Sequence, residues 1–157
     1  MHLKVDIEHQ SLIVYQDQKE LCSYLISTAK NGLGEERGSE KTPRGWHIIR
    51  AKIGEGCLLS TVFVARRPTG EIYSPELAQN HPNRDWILTR ILWLSGLEVG
   101  KNRLGNVDTM QRYVYIHGSP DSVQMGMPGS RGCVRMRNKD IIELFNRVDV
   151  GTKVLVE

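Results

Sequence analysis

Cys133 and His117 are the pair of side chains in this sequence equipped for covalent chemistry. A thiolate attacks a carbonyl carbon, and a thiol becomes one when a base within hydrogen-bond reach takes its proton. An apolar run from Tyr113 to Ile116 stops at His117 and Gly118, and fifteen residues separate that histidine from Cys133, which follows the tight segment Ser130-Arg131-Gly132. Between them lie Gly118, Pro120, Gly126, Pro128 and Gly129, residue types that let a chain double back until a strand end faces a distant turn. Amide N–H groups around Gly132 and Cys133 would then form an oxyanion hole, Gly132 allowing the backbone to come close. The chemistry open to such a pair is acyl transfer through a thioester, completed by an amine or by water; the alternative from the residues alone is that Cys133 is a small, inert buried thiol.

The rest of the chain must hold that pair rigidly. Apolar residues alternate with polar ones from Leu3 to Ile7, recur from Leu12 to Tyr15, and recur again from Leu21 to Ile26, which predicts an opening antiparallel meander. Ser27 to Gly45, rich in glycine and charge, has no period and reads as a long loop. Trp46 to Ile53 reads as a strand with His47 half-buried. Gly54-Glu55-Gly56 turns the chain into a strand at Thr61 to Ala65, and Pro68-Thr69-Gly70 turns it again. Glu76 to Arg84 is a short helical turn or loop before Trp86 to Leu94, an apolar strand crossing the core. Its Arg90 must reach an edge or meet a carboxylate, because a lone buried charge is costly. Gly96 to Thr109 is a candidate wall of the substrate cleft. Asn138 caps a helix whose stripe of Ile141, Leu144, Phe145 and Val148 packs behind the segment carrying Cys133. Lys153 to Val156 supplies the last strand. Cys22 reads as a core thiol and Cys57 as incidental.

At 157 residues, with 25% charged and 39% hydrophobic side chains, the chain reads as one globular domain spanning 1–157. A net charge of +3 with scattered basic residues argues against nucleic acid and suits a substrate bearing a carboxylate. No apolar run is long enough for a membrane helix. MHLKVDIEHQ reads as a strand and not as a signal peptide, so a cytoplasmic location is expected, or a periplasmic one where a leader precedes it. Three cysteines without CxxC spacing and five histidines without an H-x-x-x-H pair point away from a disulfide framework and from a metal site.

The stretch YVYIHGSPDSVQMGMPGSRGCVRM resembles the active-site motif of the YkuD family, the L,D-transpeptidase catalytic domain, at His117, Gly118, Ser130, Gly132, Cys133 and Arg135. Thr42-Pro43 with Gly45, and the run GLE-x-G-x-N-x-x-G-x-VDT from Gly96, extend the resemblance over most of the chain. Arg131 departs from it, standing where the family most often has histidine. The resemblance implies a mainly β fold of mixed sheets packed as a sandwich or barrel, with one α-helix in the C-terminal region and short helical turns. It also implies a Gly118 carbonyl that orients His117, no metal and no organic cofactor. The substrate it implies is a peptidoglycan stem peptide, with Cys133 attacking the carbonyl of the L-centre before a terminal D-amino acid. A carbapenem is the implied covalent inhibitor. In a cytoplasm without cross-linked wall, trimming recycled muropeptides from tetrapeptide to tripeptide ranks first (L,D-carboxypeptidase), and L,D-transpeptidation or D-amino acid exchange second. A binding module without chemistry is hard to reconcile with an intact His117 and Cys133. Arg131 offers a planar fork to the terminal carboxylate, Arg135 competes for that role, and Ser130 is placed beside the substrate with them.

Overall fold

The computed structural model describes residues 1–157. The alternation at the N-terminus becomes β1 (His2–Asp6), β2 (Ser11–Gln16) and β3 (Lys19–Ser27), an antiparallel meander. Leu3, Val5, Leu12 and Val14 are fully buried, so the period of two marks one inward face. The long loop that follows ends at β4 (Gly45–Ile53). A hairpin of β5 (Thr61–Val64) and β6 (Arg67–Ile72) leads to α1 (Pro75–Asn80), where the Ser74 hydroxyl caps the Leu77 N–H at 3.1 Å. The remaining elements are β7 (Ile87–Gly96), β8 (Tyr115–Ser119), β9 (Val134–Arg137), α2 (Asn138–Arg147) and β10 (Lys153–Val156), with a short 3-10 turn at Gly105–Val107.

The ten strands run in the order β4-β10-β1-β2-β3-β9-β8-β7-β5-β6, and β4 also pairs with β7. That second pairing closes every strand except β5 and β6 into a barrel, ten less two leaving eight. A closed barrel removes the sheet edges. The sheet is mixed: β1 with β10 and β8 with β9 are parallel, the other pairs antiparallel. Parallel neighbours need a crossover of a dozen or so residues, and the glycine- and proline-rich 120–133 segment supplies it between β8 and β9.

Two cores lie on opposite faces of β7, β8 and β9. The larger, of 19 buried residues, fills the barrel and includes Ile141, Leu144, Phe145 and Val148, the helical stripe read from the sequence. The smaller is Phe63, Ile91 and Tyr115, with Trp93 and Cys133 at its margin, under the β5–β6 hairpin.

Four local expectations are corrected. The hairpin turns at Ala65 and Arg66, both left-handed with φ of 48° and 64°, while Pro68 lies within edge strand β6. Paired twisted strands favour a two-residue turn with positive φ at both positions, and an edge strand tolerates proline. Asn138 is not the helix cap. It opens α2 after Arg137 and turns its buried side chain toward Thr89, whose hydroxyl donates to Asn138 Oδ1 at 2.6 Å. Arg90, 8% exposed, meets no carboxylate: Nη1 donates to the carbonyls of Thr89 and Cys57 at 2.6 and 2.9 Å, and the guanidinium lies 5.5 Å over the Phe145 ring. Arg90 lies in the stretch of β7 where the register with β8 shifts, between Leu88 and Ile91. His47 is wholly buried and not half-buried, its ring held between the Gly45 carbonyl and the Thr109 hydroxyl, each at 3.0 Å.

Candidate active site

The parallel register of β8 and β9 aligns Ile116 with Val134 and His117 with Arg135. Side chains alternate across a strand, so Ile116, Val134 and Met136 enter the barrel core while Tyr115, His117 and Arg135 face the other way. Cys133, one residue before β9, continues this outer face beside Tyr115. His117 and Cys133 are therefore diagonal neighbours on adjacent strands. The strand holds the histidine within its length rather than at its end, and His117 is 1% exposed.

The imidazole is oriented by its own strand. Its Nδ1 lies 2.6 Å from the Gly118 carbonyl oxygen, which can only accept, so the proton sits on Nδ1 and the lone pair on Nε2. Gly118 serves close packing and not a turn. A Cβ there would lie 2.5 Å from Asn138 Oδ1 and 2.6 Å from the Leu88 carbonyl oxygen. Thr89 sits opposite with φ of 75°, a rare conformation for a β-branched residue, and its hydroxyl accepts from the Ser60 N–H at 3.0 Å while donating to Asn138.

The Cys133 thiol is held by backbone rather than by imidazole. It donates to the Tyr113 carbonyl at 3.6 Å and accepts from the Tyr115 N–H at 3.3 Å. Burial pushes this thiol up to about 12, against the pull of the Tyr115 N–H and the charges of Arg135 and Arg112. Burial also draws His117 below its ordinary value, with the Gly118 carbonyl opposing. Both shifts run in the direction that favours a neutral thiol and a neutral imidazole.

The turn before Cys133 is braced from several directions. Ser130, 4% exposed, donates its hydroxyl to the Cys133 carbonyl and accepts from the Gly132 N–H at 3.2 Å. Its side chain therefore supports the turn instead of facing a substrate, and the Gly132 N–H expected in an oxyanion hole is engaged in the resting structure. Gly132 has φ of 128°, and a Cβ would lie 3.3 Å from the Lys41 carbonyl oxygen. Thr42 completes the brace: its buried hydroxyl donates to the Gly132 carbonyl and accepts from the Ala29 N–H, both at 3.0 Å. In the sequence Thr42 stood out only through the resemblance, at the end of the long 27–45 loop.

Cys133 opens into a cleft of about 510 Å³ whose lining includes Arg66, Asp85, Arg112, Tyr113, Tyr115 and Arg131. The Gly96–Thr109 segment, expected as its wall, is absent from that lining. It packs over β4, where Asn102 Nδ2 donates to the carbonyls of Arg44 and Trp46 at 2.9 and 3.0 Å. The β5–β6 hairpin takes its place. Arg135 is occupied, donating to the Gly129 carbonyl at 3.1 Å and pairing with Asp85 at 3.5 Å. Arg112 spends its donors on the 34–41 segment, at the carbonyls of Gly34, Glu35 and Lys41 and the Ser39 hydroxyl. Arg131 is exposed and has no protein acceptor, standing between the cleft and a neighbouring depression of about 260 Å³. None of Arg66, Arg112 and Arg131 forms an ion pair. No group of histidine, cysteine and acidic side chains is arranged to hold a metal ion.

The model of the YkuD family, L,D-transpeptidase catalytic domain, matches residues 1–156. "Putative L,D-transpeptidase YkuD" of Bacillus subtilis (strain 168) is 33% identical over 94 residues, which is 60% of this chain and 47% of that protein. The L,D-transpeptidase from Mycobacterium smegmatis superposes with a TM-score of 0.59 at 20% identity, over 99% of this chain and 57% of that one. LD transpeptidase LdtMt1, solved in complex with imipenem, gives 0.58 at 18% identity, again over 99% of this chain and 57% of that one. At such identities the structures attest the fold, and this chain spans about half the length of these relatives.

Proposed function

Because the chain belongs to the YkuD family of L,D-transpeptidase catalytic domains, we propose that it is a cysteine acyltransferase acting on peptidoglycan stem peptides, and that its second attacker is water. It is then an L,D-carboxypeptidase that trims a tetrapeptide to a tripeptide and releases the terminal D-amino acid. The observation that carries the chemistry is the lock on His117: Nδ1–H on the Gly118 carbonyl leaves Nε2 as the basic nitrogen on the face it shares with Cys133. Nε2 takes the thiol proton as sulfur attacks the acyl carbon. The C–N bond then breaks, and the imidazolium returns the proton to the departing amine. Water, deprotonated by the same nitrogen, hydrolyses the thioester. Arg131, exposed and without an acceptor, is available to the carboxylate of the departing residue.

Electrostatics favours water over an amine. Arg66, Arg112 and Arg131 line the cleft and its rim without acidic partners, and the cleft's one carboxylate, Asp85, is taken by Arg135, so the protonated amino group of an acceptor finds guanidiniums and no free carboxylate there. Uncharged water feels no such barrier. The three cysteines, all free, are in keeping with a reducing compartment where recycled muropeptides are the substrate. Transpeptidation is the second reading, favoured by the depression beyond Arg131, which shares Arg112 and Tyr113 with the cleft and offers room for a second peptide. Incubation with a disaccharide tetrapeptide, with and without an added D-amino acid, separates the two by mass spectrometry. Tripeptide plus D-alanine is expected; cross-linked dimer or exchanged tetrapeptide as the main product, with little tripeptide, would overturn the preference for water.

A further inference from the structure

Arg66 stands at the tip of the β5–β6 hairpin with φ of 64°, next to Ala65 at 48°. A turn with positive φ at both positions is ordinarily built from asparagine and glycine, because a Cβ is disfavoured there. This chain places an arginine at the strained site and then immobilises it. The guanidinium lies 4.5 Å over the Tyr113 ring and 5.1 Å over the Trp93 ring, and Nη1 donates to the Tyr115 hydroxyl at 3.0 Å. No carboxylate pairs with it. Packing alone does not call for a guanidinium, since an apolar side chain would cover the same rings. What an arginine adds is a fixed, planar set of donors with those not used on Tyr115 left free.

The position of this fork is set by Tyr115. Its backbone N–H reaches the Cys133 sulfur, and its hydroxyl reaches Arg66, so a tyrosine side chain spans the distance from the nucleophile to the cation. Arg66 and Arg131 enter the cleft on separate elements, the hairpin and the turn before Cys133. From these observations we propose that Arg66 is an anion subsite that holds a carboxylate on the acyl half of the donor, the half that becomes attached to Cys133. The carboxylate of the departing residue is left to Arg131. This assignment rests on the acyl-transfer reading above and adds a requirement to it: the donor carries two carboxylates, one on each side of the scissile bond.

The test uses stem tetrapeptide with its carboxylates free, and peptides in which each acyl-half carboxylate is converted in turn to the carboxamide. For one of these positions, Arg66→Ala should raise KM for the free acid about tenfold or more relative to the carboxamide, the range expected when a charged hydrogen bond is removed. Arg66→Lys, which keeps the charge but loses the fork and the stacking, should fall between Arg66→Ala and wild type. A purely structural role for Arg66 would impair free acids and carboxamides alike, and that result overturns the subsite. Turnover by wild type with no free-acid preference lost in Arg66→Ala also overturns it, while leaving the acyl-transfer reading intact. If wild type turns over none of the peptides, the acyl-transfer reading itself fails and the subsite falls with it.

Discussion

Thr42→Val removes a hydroxyl that joins two otherwise distant pieces of backbone while leaving the side chain nearly the same shape. In the native protein that hydroxyl accepts from Ala29 N–H and donates to the Gly132 carbonyl, each at 3.0 Å, at a site 1% exposed. Valine leaves both backbone groups buried without that partner. Each unmatched group costs about 1–3 kcal/mol, so the loss of stability should be about 2–6 kcal/mol, or roughly 4–24 °C in melting temperature for a chain of this size. Activity should fall for a separate reason. The Gly132–Cys133 peptide is planar and trans, so anchoring the carbonyl on Thr42 also fixes the opposite direction of the Cys133 N–H. Removing an oxyanion-hole donor costs about 10²–10³ in kcat, and loosening one that remains in place should cost about tenfold or more. Thr42 does not touch the cleft, so KM should move little. Thr42→Ser keeps the hydroxyl and should stay close to wild type in both respects. Urea unfolding, together with single-turnover acylation measured well below the melting temperature, reads the two effects separately. Acylation at the wild-type rate in a destabilised Thr42→Val would refute the link from Thr42 to the catalytic peptide; unchanged stability would refute the hydrogen-bond account.

Cys133→Ala should abolish turnover while Cys22→Ala and Cys57→Ala retain it, and His117→Ala should fold normally yet lose about 10²–10⁴ in rate as a removed general base does; product formation by Cys133→Ala would falsify the assignment of the nucleophile. Imipenem should add its mass to Cys133 and to neither other cysteine, which peptide mapping by mass spectrometry decides. With the thiol raised to about 12 and His117 depressed, kcat/KM should rise through a pKa below the ordinary histidine value near 6.5 and stay level through pH 9; a step at 8–9, where a free cysteine titrates, would instead indicate a preformed thiolate. Stability should decline as pH falls from about 6.5 toward 4. Burial draws His47 to about 4 and depresses His117, so in that window the unfolded chain binds protons that the folded one refuses, and an acid-side urea midpoint equal to that at pH 7.5 would contradict both burials.

Read along the chain, the strands of the meander, the helical stripe behind β8 and β9, and the doubling back that brings the His117 and Cys133 segments side by side were all legible. Alternation such as Leu3, Val5, Leu12 and Val14 reports a buried face directly, because a strand repeats every two residues whatever its partner turns out to be. The motif residues also sit close together in sequence, and a spacing of that kind carries its own geometry. Tertiary structure alone decided which cations are free. Arg131 and Arg135 look equivalent in the sequence, yet Asp85 and the Gly129 carbonyl engage Arg135 and leave Arg131 without a partner. Likewise Ser130 became a brace, Pro68 moved from turn to strand, and the cleft acquired the β5–β6 hairpin in place of the 96–109 loop. Thr42 and Gly132 are separated by 90 positions, and Arg66 and Tyr115 by 49. No period or motif connects residues so far apart. Their contacts exist because closing the sheet through β4 and β7 fixes which loops meet at the open face of β8 and β9, and a hydrogen bond between side chain and backbone depends on that meeting and leaves no local pattern in the chain.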